Sequence, residues 1–310
     1  MRGVAQGLCL CNQECVSCVV HGSVIPQEAV LAAQRPQAGN CQKDRYATIL
    51  SSEDGETTNG ATMTDCTNFD RYRPVMDTMP ELTKDTMAPL KMQSEPAMGL
   101  EEYYAAHTDY MDPEARVVFI GICPGFEQMK LSFDLVKELQ GLPDEDVLRQ
   151  AKIQARFGRS MRRNLIELAD RTELPALLHV ASCRDLFDPA CRLMDNTALL
   201  PYPVFRNGKN YTGHAPKISR SPMLTQICDR QLQKILAAYP KAVFIPLGKS
   251  VDEQLRLSGV IPAERIVSGF PHPSGVNGHR FRQLEENLEA INRRLGETLG
   301  NTKGDKRQDA

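Results

Sequence analysis

The sequence predicts an α/β protein: a three-layer α/β/α sandwich around a central, mostly parallel sheet of four or five strands. Two observations lead to this fold class. Short apolar runs, such as residues 117–120 and 242–247, end in glycine and are typical of strands buried on both faces. Segments with helical periodicity lie between such runs, and strands that alternate with helices form a parallel sheet covered on both sides.

The individual elements follow from local patterns along the second half of the chain. We expect strands at residues 117–120, 177–181, 197–200, 242–247 and 265–267. We expect helices at residues 157–170, 221–238, 251–257 and 281–299. The helix at 221–238 has the clearest beginning, because Ser221 suits the N-cap and Pro222 suits the first helical position.

Length, composition and charge restrict the class of protein. The chain has 310 residues, of which 41% are hydrophobic, and a formal net charge of −2. No run approaches the roughly 18 apolar residues of a spanning helix, so we expect no membrane association. Residues 112–296 hold 26 Lys+Arg and 21 Asp+Glu, so a mildly basic block lies within the near-neutral total. Such a block suits a polyanionic partner, although many basic surfaces are only solvated.

We divide the chain into three regions. Residues 1–98 lack sustained periodicity, and polar stretches such as 51–60 cannot bury enough apolar surface, so we expect a mostly disordered extension. Residues 99–299 form the predicted α/β domain, and residues 300–310 form a charged tail. We expect the cysteines of the domain to be reduced thiols, which places the protein in the cytoplasm, or in the nucleus of a eukaryote.

Four cysteines at positions 9–18 are the one pattern that suggests a metal. Zinc or iron–sulfur ligation and a disordered leader are the alternatives here. The two halves of the cluster are too close for a zinc ribbon, which needs a longer spacer. We therefore predict neither a metal site nor a cofactor.

Ligands of parallel sheets bind at the carboxyl ends of the strands, so the loops after residues 120, 200, 247 and 270 are of interest, and three of them carry motifs. The first, residues 121–125, has two glycines that let backbone N–H groups approach a ligand. The second contains Gly248 and Lys249, but position 243 is Val where a phosphate-binding loop requires glycine, which excludes a P-loop nucleotidase. In the third, prolines flank His272, a candidate electrophile or acid, although an ordinary polar loop is the alternative.

Taken together, the loops Gly-Ile-Cys-Pro-Gly at 121–125 and His-Pro-Ser-Gly at 272–275 resemble the two signature loops of the uracil-DNA glycosylase superfamily. Three segments between them are similar as well: the Phe-Gly segment at 157–158, the Asp-Asn-Thr strand at 195–197 and the glycine turn at 247–249. The likeness covers residues 116 to about 295. It implies a metal-independent monomer that removes uracil or a related damaged base from DNA in base excision repair.

The resemblance also implies residue roles. The base is flipped out of the helix into a pocket, where Phe157 stacks on it and Asn196 reads its edge. His272 stabilises negative charge on uracil O2 as the N-glycosidic bond breaks. The substrate loop consists of Gly121, Ile122, Cys123, Pro124 and Gly125. The DNA-contacting residues are Gly248, Lys249, Ser274, Gly275, Val276 as a wedge, Asn277 and Arg280.

One departure from the family pattern leaves a second function open. Cys123 stands where relatives carry a carboxylate or amide near the attacking water, and a thiol is a poor base for water. Glu127 is the nearest replacement and our candidate second catalytic residue, while Asp185 and Asp195 are further carboxylates. The alternatives are a catalytically impaired module of the same fold that binds nucleic acid or nucleotides, or a related enzyme acting on free nucleosides or RNA.

Overall fold

The computed structural model describes residues 19–20, 23–24 and 66–300. The chain divides into two compact units, Met1–Asn59 and Gly60–Ala310. In the first, strand β1 (Val19–Val20) pairs antiparallel with β2 (Ser23–Val24). The cysteine cluster at 9–18 and residues 301–310 lie outside the described residues, and everything below concerns the second unit.

The second unit contains both helices and strands. Its strands are β3 Lys91–Glu95, β4 Leu100–Tyr103, β5 Val117–Gly121, β6 Met194–Ala198, β7 Val204–Arg206, β8 Lys209–Asn210 and β9 Val243–Pro246. Its α-helices are α1 Cys66–Thr78, α2 Phe126–Glu138, α3 Asp144–Ala155, α4 Arg159–Ala169, α5 Leu174–Leu177, α6 Pro222–Ala238, α7 Lys249–Ser258 and α8 Arg280–Leu299.

A parallel sheet of three strands, in the order β6-β5-β9, lies at the centre of the unit. In its register Val117 of β5 pairs with Met194 of β6 and with Val243 of β9. Where we expected a fifth strand, Ile266 forms a single parallel bridge to Phe244. The α/β class is therefore confirmed, with three strands in the parallel sheet.

Helices pack on both faces of this sheet because successive strand residues point to opposite sides. Val118 and Ile120 join a buried cluster with the apolar side of α6, including Leu232. Val117 and Phe119 join another cluster with residues of α4, α5 and α8. As the sequence predicts, Ser221 caps α6, and its side chain accepts the N–H of Leu224 at 3.1 Å.

Residues 66–98, which we assigned to the extension, belong to the folded unit. They form α1 and β3, and β3 opens a second, antiparallel sheet with the order β3-β4-β7-β8. Phe69, Leu82 and Leu90 are fully or almost fully buried in a cluster with Tyr104 and Phe205. The predicted boundary at residue 98 is therefore wrong for these residues. The sequence pattern did not reveal them because their few apolar side chains are spread among polar and proline residues.

Two predicted strands are also wrong in position or type. Residues 177–181 end helix α5 and continue into a turn, where His179 has a φ of 57°. A short apolar run does not distinguish a buried strand from a buried helical turn. Strand β6 begins at Met194, three residues before the predicted start, because the charged Asp195 interrupts the apolar run in the sequence.

None of the helices in residues 66–300 combines the length and hydrophobicity that crossing a bilayer requires.

Candidate functional site at the carboxyl edge of the parallel sheet

The loops that follow the parallel strands lie side by side. Beyond β5 and β6, Leu199 N–H donates to Gly121 O at 3.0 Å and Leu200 N–H donates to Ile122 O at 2.9 Å. Beyond β9, Gly248 N–H donates to Phe270 O at 3.0 Å, which joins the glycine turn to the last loop. The sheet thus brings the predicted loops to one edge.

The thiol of Cys123 is held by the protein backbone. Its Sγ donates to Tyr211 O at 3.3 Å. Burial raises the pKa of Cys123 to about 12, so the group stays a neutral thiol at physiological pH. Cys123 therefore does not act as a general base for water, which agrees with the poor basicity expected of a thiol.

The end of the first loop is fixed by α2 and by the β8 turn. Pro124 is buried, and Gly125 N–H donates to Gln128 Oε1 at 3.3 Å at the start of α2. Phe126 N–H donates to the side chain of Asn210 at 3.2 Å. Glu127 in the first turn of α2 is exposed, and no hydrogen bond or ion pair joins it to another residue within 66–300. Glu127 thus faces solvent without a fixed orientation.

An aromatic wall lies beside Asn196 on the face of the sheet that α4 and α8 cover. Phe157 precedes α4 with a φ of 48°, and its ring packs edge-on against Phe119 and Phe187, with centroids 6.4 and 6.3 Å away. Asn196 pairs in register with Phe119. The Oδ1 atom of Asn196 is buried and has no hydrogen-bond partner among the described residues. Unpaired buried acceptors are uncommon in folded proteins, so this amide is a candidate for ligand recognition.

His272 is held in one orientation by its own loop. Its Nδ1 accepts the N–H of Ser274 at 3.2 Å, so a neutral imidazole carries its hydrogen on Nε2. Burial lowers the pKa of His272, and the nearby His214 lowers it further. Both effects favour the neutral ring at physiological pH, with Nε2–H as a donor.

Two neighbours fix the backbone of the His272 loop. Gly248 has a φ of 89°, and a Cβ there would lie 3.0 Å from the Cβ of His272, so the close approach requires glycine. Asn164 of α4 donates from Nδ2 to Pro273 O at 2.8 Å. This bond joins α4, which follows Phe157, to the loop that carries His272.

The rest of the last loop has a fixed base and an exposed tip. Asn277 Nδ2 donates to His272 O at 3.1 Å and to Gln283 Oε1 at 2.9 Å. At the tip, Gly275 is exposed and Val276 is 96% exposed. A large apolar side chain displayed in this way is suited to contact a partner.

The two predicted DNA-contacting cations, Lys249 and Arg280, differ in exposure and in partners. The side chain of Lys249 is 89% exposed and pairs with Glu253 at 3.7 Å. Arg280 donates from a terminal nitrogen to Asn277 O at 3.1 Å, while its Nε is buried without a partner among the described residues. Lys249 is thus available to a phosphate, and Arg280 chiefly supports the loop.

Sequence reasoning missed the segment that follows β8. Besides Tyr211, it contains His214, which acts electrostatically on His272, and Gly213, whose φ is 85°. A Cβ at Gly213 would lie 2.8 Å from the Cδ1 of Ile122, so this segment packs closely against the first loop. The signal was the Thr-Gly turn at 212–213, together with the Asn-Gly turn at 207–208 just before β8.

Asp195 is not available as a carboxylate that could activate water. It is fully buried, with Lys152 Nζ at 3.6 Å, an Arg156 nitrogen at 3.5 Å and the hydroxyl of Tyr239 at 2.6 Å. Burial opposes its negative charge, but Lys152 and Arg156 keep the pKa of Asp195 below its ordinary value. The side chain therefore serves the core of the protein and not the candidate site.

Comparison with known proteins gives one informative relationship. No protein-family model matches the chain. A protein of Bacillus subtilis (strain 168), described as uncharacterized protein YoxB, is 35% identical over 225 residues, which make up 69% of this chain and 86% of YoxB. At that identity and coverage the two proteins share a common fold and ancestry. The chain belongs to the family of YoxB.

Proposed function

We propose that the protein is a uracil-DNA glycosylase-like hydrolase, which removes uracil or a related damaged base from DNA by cleaving the N-glycosidic bond. The observation that carries the proposal is the buried, unpaired Oδ1 of Asn196. It lies beside the aromatic wall of Phe119, Phe157 and Phe187, at the edge of the sheet where the His272 loop is held. An unpaired amide, an aromatic ring and an imidazole donor are the groups that a flipped pyrimidine needs.

The proposal includes the finer architecture of the superfamily, a three-layer α/β/α sandwich with a central, mostly parallel sheet of four or five strands. Helices α6 on one face and α4 and α8 on the other support the layered arrangement. The bridge between Ile266 and Phe244 supports a fourth position next to β9. The likeness of the two signature loops to the superfamily supports the assignment of roles.

The proposed chemistry takes its residue roles from the resemblance to the superfamily, and the local geometry supports them. The ring of Phe157 stacks on the flipped base. The Asn196 amide accepts a hydrogen bond from the base N–H at Oδ1 and donates one from Nδ2. As the bond from the sugar to the base breaks, negative charge builds on the base. His272, already neutral and with Nε2–H available, stabilises that charge in a site of low dielectric constant. Water adds to the sugar carbon, and its proton passes to solvent or to Glu127.

The surface around the site is suited to DNA. Val276 fills the gap that the flipped nucleotide leaves in the base stack, as apolar wedges do. Lys249 and the backbone N–H of the exposed Gly275 contact phosphates. We therefore expect affinity for DNA to fall as salt concentration rises.

The alternative, a module that binds nucleic acid without cleaving it, is favoured by one observation. Cys123 stays protonated, and Glu127 has no fixed orientation within the described part of the chain. No carboxylate is therefore held ready to orient water.

An assay on uracil-containing oligonucleotides separates the two functions. We expect wild-type protein to produce alkali-sensitive abasic sites in single- or double-stranded substrates. The variant His272→Ala should lose about two to three orders of magnitude in rate, the usual cost of removing an oxyanion donor. His279→Ala, an exposed histidine of the same loop, is the matched control and should act as wild type. Equal inactivity of wild type and His272→Ala, with DNA binding retained, would establish the non-cleaving module instead.

The pH profile gives a second readout. The folded-state pKa of His272 is lowered, so the neutral ring that the mechanism requires is present above that pKa. We expect the rate to fall as the pH decreases through this value, in the acidic range below about 6.5. The residual activity of His272→Ala should lack this acidic limb. A profile that is the same in both proteins contradicts the role of His272.

A further inference from the structure

A cavity of about 400 Å³ lies away from the residues of the candidate site. Its walls come from α1, β3, β4 and α6 and from the segment after β6. None of the residues assigned above to base or DNA binding lines it. Its volume is in the range of pockets that hold small organic ligands.

The floor of the cavity contains a carboxylate with one unused oxygen. Glu102 of β4 is 2% exposed, and its Oε2 accepts a hydrogen bond from Gln93 Nε2 at 2.7 Å. Its Oε1 is buried and has no partner among the described residues. Burial raises the pKa of Glu102 to about 7, against the opposing effects of the hydrogen bond from Gln93 and the charge of Arg230. A buried acceptor of this kind is costly unless a ligand donates to it.

The rim of the cavity is basic. Arg230 and Lys234 are four residues apart on α6 and so share one face of the helix, while Arg71 comes from α1. No carboxylate lies within ion-pair distance of Arg71 or Arg230 in the described part of the chain. Three cations around one opening are suited to a phosphate group.

We propose that this cavity binds a nucleotide with an amino-substituted base, whose phosphate lies at Arg71, Arg230 and Lys234 and whose amino group donates to Glu102 Oε1. Apolar and aromatic side chains, including Met92 and Tyr202, line the space between these two ends and suit a base and sugar. The inference does not depend on glycosylase activity. A free nucleotide and the terminal nucleotide of a strand share this chemistry.

Titration calorimetry of the full chain at pH 8, where Glu102 is mainly charged, tests the proposal. We expect saturable binding of CMP, and about tenfold weaker binding of cytidine, which lacks the phosphate. UMP should also bind about tenfold more weakly, because its O4 carbonyl would face the carboxylate without a hydrogen. No saturation by CMP, or equal binding of CMP and UMP, overturns the proposal. A 5′-phosphorylated oligonucleotide that competes with CMP identifies a strand end as the physiological source, and absence of competition identifies a free nucleotide.

Matched variants locate the ligand. Arg230→Glu should weaken CMP binding about tenfold, whereas Lys241→Glu, an exposed lysine just before β9, should leave it unchanged. Glu102→Gln should reduce the preference for CMP over UMP. Because Arg230 is exposed, its variant tests the site even if Glu102→Gln does not fold. Equal losses in Arg230→Glu and Lys241→Glu, or loss of CMP binding in His272→Ala, contradict binding in this cavity.

Discussion

Asp195 and Asn196 are neighbours on β6, but their side chains point to opposite faces of the sheet and differ in how fully their polar atoms are paired. On the α6 face, Asp195 accepts the hydroxyl of Tyr239 and the N–H of Asp112, and it pairs with Lys152 and Arg156. On the other face, the buried Oδ1 of Asn196 has no partner among the described residues. A fully paired polar group contributes to folding, whereas an unpaired one weakens folding and is retained where a ligand completes it.

The paired network extends well beyond β6. Asp112 also accepts two hydrogen bonds from Arg192, at 2.6 and 2.9 Å. Asp109, which acts electrostatically on Lys152, accepts the hydroxyls of Tyr104 and Tyr202, and Tyr202 in turn accepts the side-chain N–H of Asn68. Because Asn68 lies on α1, the buried polar network and the start of the second unit are linked.

The largest effect is therefore expected from truncation. Deleting residues 1–98 removes α1 and β3, including the fully buried Phe69, and exposes the Tyr202–Asp109 part of the network. We expect insoluble protein or a product without cooperative unfolding, as measured by circular dichroism during urea titration. Deleting residues 1–59, the first compact unit, is the control and should leave cooperative unfolding. Cooperative unfolding of the shorter product would show that α1 and β3 are dispensable.

The sequence alone assigned residues 1–98 to a mostly disordered extension, which would make their deletion harmless to the fold. Residues 66–98 are folded by a few large apolar side chains, such as Tyr72 and Met76, that pack against distant strands. Long-range contacts of this kind leave no periodic pattern. By contrast α6 and α8 were predicted closely, because their helical stripes and the Ser221 cap are local signals.

The next largest effect concerns Asp195. The substitution Asp195→Ala leaves Lys152 and Arg156 buried without an anion. Removing one partner of a buried ion pair costs about 3–5 kcal/mol. We expect a loss of this size in the free energy of unfolding from urea titration. Asp229→Ala, an exposed carboxylate on α6, is the control and should change stability by no more than about 0.5 kcal/mol. Similar values for the two variants would show that the buried ion cluster adds no net stability.

The candidate site was predictable in part. Loops at the carboxyl ends of β5 and β9 follow from the strand pattern, and His272 stands out because prolines flank it. The supporting groups were not predictable. Asn164 lies on a helix and Tyr211 acts through its backbone oxygen, so neither position is marked by its residue type. Such contacts arise only when segments distant in the sequence are brought together by folding.

The smallest effect on stability is expected at Asn196, and it sharpens the contrast with Asp195. Asn196→Ala removes a buried acceptor that has no partner within residues 66–300, so we expect unfolding free energy to change by no more than about 1 kcal/mol. If the amide recognises a base, the same variant should lose uracil excision or affinity for uracil-containing DNA by about tenfold or more. A variant that keeps both stability and DNA recognition would show that the unpaired oxygen serves neither folding nor binding. A loss of about 3 kcal/mol, similar to that for Asp195→Ala, would instead place Asn196 among the groups that hold the fold together.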